Sequence, residues 1–128
     1  TEAADKNINF TYEINYLGEI CISDINMCAL LANLLDNAIE ACEKLQGKKR
    51  WIYLKIKKQN EMLFICIDNS IKKDKVEKDK FFETSKKNKE LHGLGMKSID
   101  NVIRKYDGHK EYEIQKDKFQ VYISIPLG

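Results

Sequence analysis

Two asparagines four residues apart, Asn33 and Asn37, interrupt a mostly apolar stretch, LLANLLDNAIEA. In a helix, residues four apart stack on one face. Burying an unpaired amide costs roughly 1–3 kcal/mol, so this pair needs partners. Backbone and water can supply them. The alternative is a hard cation: magnesium favours oxygen ligands, keeps several waters, and needs one or two protein groups beside phosphates. A second candidate is Asp68 in CIDNS, a carboxylate closing an apolar run. Such a group can cap a local turn or accept from a purine amino group, a charge-assisted bond worth roughly 1.5–3 kcal/mol. The third is KELHGLGMKSIDNVIRKY, with Gly93 and Gly95 where a helix should begin. Each glycine inside a helix costs about 1 kcal/mol against alanine. Bare backbone N–H groups at the positive end of a helix are, however, a natural seat for phosphate. The other reading is a hinge.

These residues need elements to hold them. INFTYEI (8–14) alternates apolar and polar residues, as a strand does. The next segment has Ser23 or Asp24 as a helix cap. Its apolar positions Ile25, Cys28, Leu31, Leu35, Ile39 and Cys42 recur at helical spacing, and Gly47 is placed to end it. WIYLKIKK and MLFICIDN read as antiparallel strands joined by a turn at QNE. From Ser70 to His92 the chain is polar and aperiodic, the mark of a lid. It carries Lys72, Lys73, Lys75, Lys78, Lys80, Lys86, Lys87 and Lys89, which suit a solvated loop or one that meets an anion. A second helix spans roughly 94–106, and KEYEIQKD with FQVYISIP forms a last hairpin ended by Pro126. The order predicts an α+β fold: a mixed or largely antiparallel sheet with helices on one face.

The 128 residues suit one domain. With 22 Lys and Arg against 20 Asp and Glu, the net charge of +2 argues against nucleic acid as a partner. No apolar run approaches the ~20 residues of a membrane span. Cys21, Cys28, Cys42 and Cys66 are scattered among apolar residues and read as buried thiols. His92 and His109 do not complete a zinc pattern with them. The start at Thr1 reads as that of an excised domain.

Taken in order, the motifs resemble one family over nearly the whole chain: the catalytic and ATP-binding domain of sensor histidine kinases. It lies in the superfamily of ATPases shared with gyrase, the heat-shock chaperone and mismatch-repair proteins. NLLDNAIEA is similar to the family's N box, DNS stands where the family has D-x-G-x-G, and HGLGM resembles its second glycine box. FFETSKKNKELHGLGMKSI most resembles the peptide-sensing, quorum-type receptor kinases of Gram-positive bacteria. The resemblance implies a two-layer α/β sandwich of the Bergerat type, with ATP held between the helices and a lid at 70–92. It implies that Asn37 binds magnesium, with Asn33 supporting it or touching phosphate. Asp68 would bond to adenine, with Asn69 sharing that contact. Lys86, His92, Gly93, Leu94, Gly95 and Met96 would line phosphates and base.

Three departures bear on mechanism. Ser70 and Lys72 replace the glycines of D-x-G-x-G, and Glu40 stands where many relatives have a basic residue. Hydrolysing relatives carry a glutamate at the place of Asn33, and an amide cannot take a proton from water at neutral pH. That favours phosphoryl transfer, which rests on positioning and charge neutralisation. Neither histidine resembles the family's phosphoacceptor. The resemblance therefore implies a partner dimerisation segment upstream of Thr1, with 1–6 the tail of its linker, and a response regulator downstream. The parent would be a membrane-anchored homodimeric receptor with this domain in the cytoplasm. An anti-sigma-type serine kinase and a degenerate scaffold that no longer binds nucleotide are the alternatives.

Overall fold

The computed structural model describes residues 7–15, 20–45, 49–71 and 97–127. Five strands, β1 (Asn9–Asn15), β2 (Trp51–Gln59), β3 (Met62–Ser70), β4 (His109–Gln115) and β5 (Lys118–Pro126), form one sheet in the order β1-β2-β3-β5-β4. β1 pairs parallel with β2 and the other pairs are antiparallel, so the sheet is mixed. A parallel pair needs a crossover, and α1 (Asp24–Glu43) supplies it. A second helix, α2, covers 97–105. Both helices lie on the same face of the sheet, as the sequence predicts.

Strand alternation decides what the helices cover. Ile52, Leu54 and Ile56 of β2 pair with Asn69, Ile67 and Ile65 of β3, and those three pair in turn with Phe119, Val121 and Ile123 of β5. Register partners share a face, and this one is the core: Ile65 and Ile123 are fully buried beneath Leu30, Leu34, Ala38 and Cys42 of α1 and Ile99, Val102 and Ile103 of α2. Each such aliphatic side chain contributes roughly 1.5–3 kcal/mol. The outer face carries Tyr53, Lys55, Phe64, Cys66, Asp68, Gln120 and Tyr122, one step out of phase.

Several details differ from the sequence reading. The buried stripe of α1 runs Leu30–Leu34–Ala38–Cys42, every fourth residue, whereas Ile25 is 82% exposed and Cys28 is exposed. α1 ends on Lys44, whose N–H donates to Ala41 O (3.3 Å), while Leu45 N–H donates to Cys42 O (3.0 Å); Gly47 lies outside the described residues. The β2–β3 turn is the two residues Asn60 and Glu61, both at positive φ (51° and 63°), as a tight antiparallel hairpin requires. Of the cysteines only Cys42 is buried; Cys66 is half-buried and Cys21 and Cys28 are exposed. Tyr12 and Ile14, alternating inward on β1, are 65% and 50% exposed because β1 is an edge strand.

The end of α2 is closed with care. Asp107 takes a left-handed φ of 55°, its N–H reaches Arg104 O (3.2 Å), and Gly108 N–H reaches Ile103 O (2.7 Å). This double bond is a Schellman cap. A Cβ on Gly108 would come within 2.9 Å of Ser124 O and 3.0 Å of Ile125, so only glycine allows the helix end to rest on β5.

Candidate functional site

The direction of each helix follows from what its ends touch. At the start of α1, Cys21 Sγ donates to Leu127 O (2.9 Å), beyond the end of β5. At its end, Cys42 Sγ lies 3.5 Å from Trp51 O and 3.7 Å from Ser70 Oγ, where β2 begins and β3 ends. α1 therefore runs along β3 toward Asn69. For α2, Asp100 pairs with Lys110, the register partner of Ile123, while Ile103 lies by Gly108 beside Ser124 and Ile125. α2 therefore runs along β5 in the opposite sense, with its start toward Phe119, the partner of Asn69. The last turns of α1, the end of β3 and the start of α2 meet at one end of the sheet.

The amides lie on the flank of α1 that this arrangement serves. Asn26, Asn33 and Asn37 are seven and four residues apart, so they form one line beside the buried stripe, and all three are half-buried. Asn26 is anchored: its Nδ2 donates to Tyr106 Oη (2.7 Å), just past the end of α2. At 1.5 Å per residue, Asn26 to Asn37 spans about 16 Å and Tyr106 back to Lys97 about 13 Å. On antiparallel helices that sets the start of α2 abreast of Asn33 and Asn37. Asn37 itself carries an interaction. Lys86, His92, Gly93, Leu94, Gly95 and Met96 lie outside the described residues. So does all of the expected lid after Ile71; Ser70, expected to open it, belongs to β3, and Ile71 is buried.

The end of β3 separates its two polar candidates. Asn69 pairs with Ile52 and Phe119 on the helix-covered face and is 3% exposed. Its Nδ2 donates to Ser70 O (3.0 Å). Among the described residues its Oδ1 accepts no bond, so the acceptor end of the amide is the one presented. Asp68 pairs with Tyr53 and Gln120 on the outer face. There Cys66 Sγ donates to its Oδ1 (3.4 Å) and Lys118 Nζ sits 3.8 Å from its Oδ2. Burial, and then the Asp68 charge, push the Cys66 thiol up to about 11. The structure thus puts Asn33, Asn37 and Asn69 on the helix-covered side of the sheet and turns Asp68 to the outer face.

Ser70 fastens this end. Its Oγ accepts from Trp51 N–H (3.0 Å) in place of a ladder carbonyl and touches Cys42. Sequence reasoning passed over Ser70 in this role, and over Asn26 and Tyr106. The i, i+7, i+11 spacing of Asn26, Asn33 and Asn37 was the signal available.

A mixed five-strand sheet with two antiparallel helices on one face makes this an α+β domain of two layers. Residues 22–126 match the model of the GHKL domain family, and the chain belongs to that family. No curated protein matches it. Among solved structures it is similar to the catalytic domain of histidine kinase ThkA (TM-score 0.75, 20% identity, covering 98% of this chain and 83% of that one). It is also similar to the Acinetobacter baumannii histidine kinase AdeS (TM-score 0.73, 16% identity, 98% and 57% covered). Full-length ShkA in complex with AMPPNP matches as well (TM-score 0.76, 15% identity, 98% and 27% covered). The fold is that of histidine kinase catalytic domains. Among the described residues no helix is long and apolar enough to cross a membrane, and no cluster of metal-binding side chains of the His, Cys, Asp and Glu kind occurs.

Proposed function

We propose that this chain is the ATP-binding catalytic domain of a sensor histidine kinase, passing the γ-phosphate to a histidine on a dimerisation domain outside this sequence. The observation that carries the reading is the meeting of the α1 amides, Asn69 and the start of α2 at one end of the sheet, in a chain of the GHKL family. Asn33 and Asn37 suit a hard cation: the two residues stand one helical turn apart on a half-buried flank, and magnesium asks for few protein oxygens. Asn37 would hold Mg2+, with Asn33 beside it. The ion, when bound, neutralises triphosphate charge.

The chain's own residues do the rest. Asn69 Oδ1, which accepts no bond among the described residues, suits a purine amino group in the proposed nucleotide cleft, and in this reading it would replace Asp68 as the group that meets the base. Gly93 and Gly95, which precede α2 in sequence, would offer backbone N–H groups to phosphate, and the positive end of a helix favours that charge. Lys86 and His92 would approach the phosphates from the lid, and Leu94 and Met96 would line the base. Asn33 positions without taking a proton, so water is not activated and a histidine from outside is the better nucleophile. This favours the histidine kinase over an anti-sigma-type serine kinase. The wider assignment follows the same line: a quorum-type peptide receptor, membrane-anchored and homodimeric, with a response regulator downstream.

Calorimetric titration with ATP, with and without Mg2+, tests the reading. Magnesium-dependent binding is expected, followed by acid-labile labelling of an added histidine-bearing dimerisation domain. An absence of nucleotide binding under both conditions overturns it.

A further inference from the structure

The two helices that flank the cleft are joined at the opposite end by one hydroxyl. Tyr106 follows the last turn of α2, and its Oη accepts from Ser23 N–H (3.2 Å) and from Asn26 Nδ2 (2.7 Å). Ser23 is the N-cap of α1, its own Oγ accepting from Asn26 N–H (3.2 Å). One phenol thus holds both the first backbone donor and the first flank amide of α1. These bonds favour the phenolate and lower the Tyr106 hydroxyl below its usual value, which agrees with two donors converging on one oxygen. α2 otherwise anchors to the sheet and β4, through Ile99, Val102, Ile103 and the Asp100–Lys110 pair.

We infer that Tyr106 is a positioning residue for nucleotide binding: by tying the end of α2 to the cap and to Asn26 of α1, it sets how the start of α2 stands against Asn33 and Asn37. The reasoning is that of a rigid rod. Both helices are packed bodies about 13–16 Å long between tie and cleft. A shift at the tie is therefore delivered at the cleft rather than absorbed between. Because Ser23 is exposed, water can replace the lost acceptor there, so removing the hydroxyl should move geometry more than stability. The inference rests on the nucleotide reading above for its functional consequence, and on the two hydrogen bonds alone for its structural one.

Tyr106→Phe keeps the ring and removes the acceptor; Asn26→Ala removes one donor. In magnesium-ATP titrations each should raise Kd by about threefold to tenfold. The double variant should be no worse than the poorer single one, because both act through one tie. A purely structural role would lower the thermal midpoint and leave Kd unchanged. Hydrogen exchange, read without nucleotide, separates this from failure of the functional reading. Tyr106→Phe should speed exchange of the 97–101 amides as well as those of 23–27. If the wild type binds no nucleotide, the functional reading falls while the exchange pattern still decides the tie. Unchanged Kd in a wild type that does bind, additive effects, or exchange altered only at 23–27 would each overturn it.

Discussion

Asp68 and Asn69 are neighbours of similar size at the end of one strand, yet they belong to different surfaces. Asp68 lies on the outer face among Cys66, Lys118 and Gln120; Asn69 lies on the inner face, 3% exposed, beside Ile52 and Phe119. The period of two in a strand is unforgiving: a one-residue step exchanges the helix layer for the outside. A charged carboxylate would be costly at the inner position without a partner. An amide there has one donor hydrogen satisfied by Ser70 O, and its Oδ1 accepts no bond among the described residues. The residue with the stronger chemistry therefore lies on the outer face, and the weaker, neutral one on the helix-covered face.

The largest expected effect lies on the inner face. Asn37→Ala should weaken magnesium-dependent ATP binding by about 100-fold, ~2.7 kcal/mol. Chelating the metal should cost the wild type a similar factor and the variant almost nothing. The thermal midpoint should hold, because Asn37 is half-buried at the edge of the stripe and not within it. Equal metal dependence in both proteins would remove Asn37 from the site. Next comes the direct contrast. Asn69→Ala should raise Kd for ATP by about threefold to tenfold, the value of one neutral hydrogen bond. Asp68→Ala should change it less than about twofold, since its partners lie across the sheet. Reversed outcomes would restore the carboxylate as the group that meets the base.

Much of this architecture was legible in the sequence, and the residues show why the remainder was not. The five strands, the Ser23 cap and the helical placement of Asn33 and Asn37 follow from local pattern and cap chemistry. The facing of β3 does not. From Leu63 onward alternate residues are buried, but Ile67, Asp68, Asn69 and Ser70 are all buried in succession, so hydrophobicity no longer marks the inner side. Only the pairing of Asn69 with Ile52 and Phe119 resolves it, and pairing is a long-range fact. The rotation of α1 was hidden for a similar reason. Leu31, Leu35 and Cys28 compete with Leu30, Leu34 and Ala38 for the buried stripe, and only the packing against the sheet shows that the second set is buried while Leu31 and Leu35 are half-buried and Cys28 is exposed. The tie at Tyr106 joins residues 80 and 83 positions apart, beyond any local signal.

The smallest effect separates the two faces by thiol chemistry. Cys42 on the inner face is fully buried, and burial raises its thiol above the usual range. Cys66 on the outer face is half-buried and pushed up to about 11, by burial and then by Asp68. The thiolate is the reactive form, so at pH 8 both should alkylate slowly, and Cys21 and Cys28, which are exposed, should label first. The two slow sites should part company in Asp68→Asn. Removing that negative charge lowers the Cys66 thiol toward its ordinary value and speeds its alkylation by a few-fold, while Cys42, tied to Ser70 and Trp51 across the sheet, keeps its rate. Mass spectrometry of peptides from a timed iodoacetamide reaction reads all four at once. Acceleration at Cys42 and not Cys66 would mean that Asp68 acts on the inner face after all, and the division between the neighbours at the end of β3 would have to be redrawn.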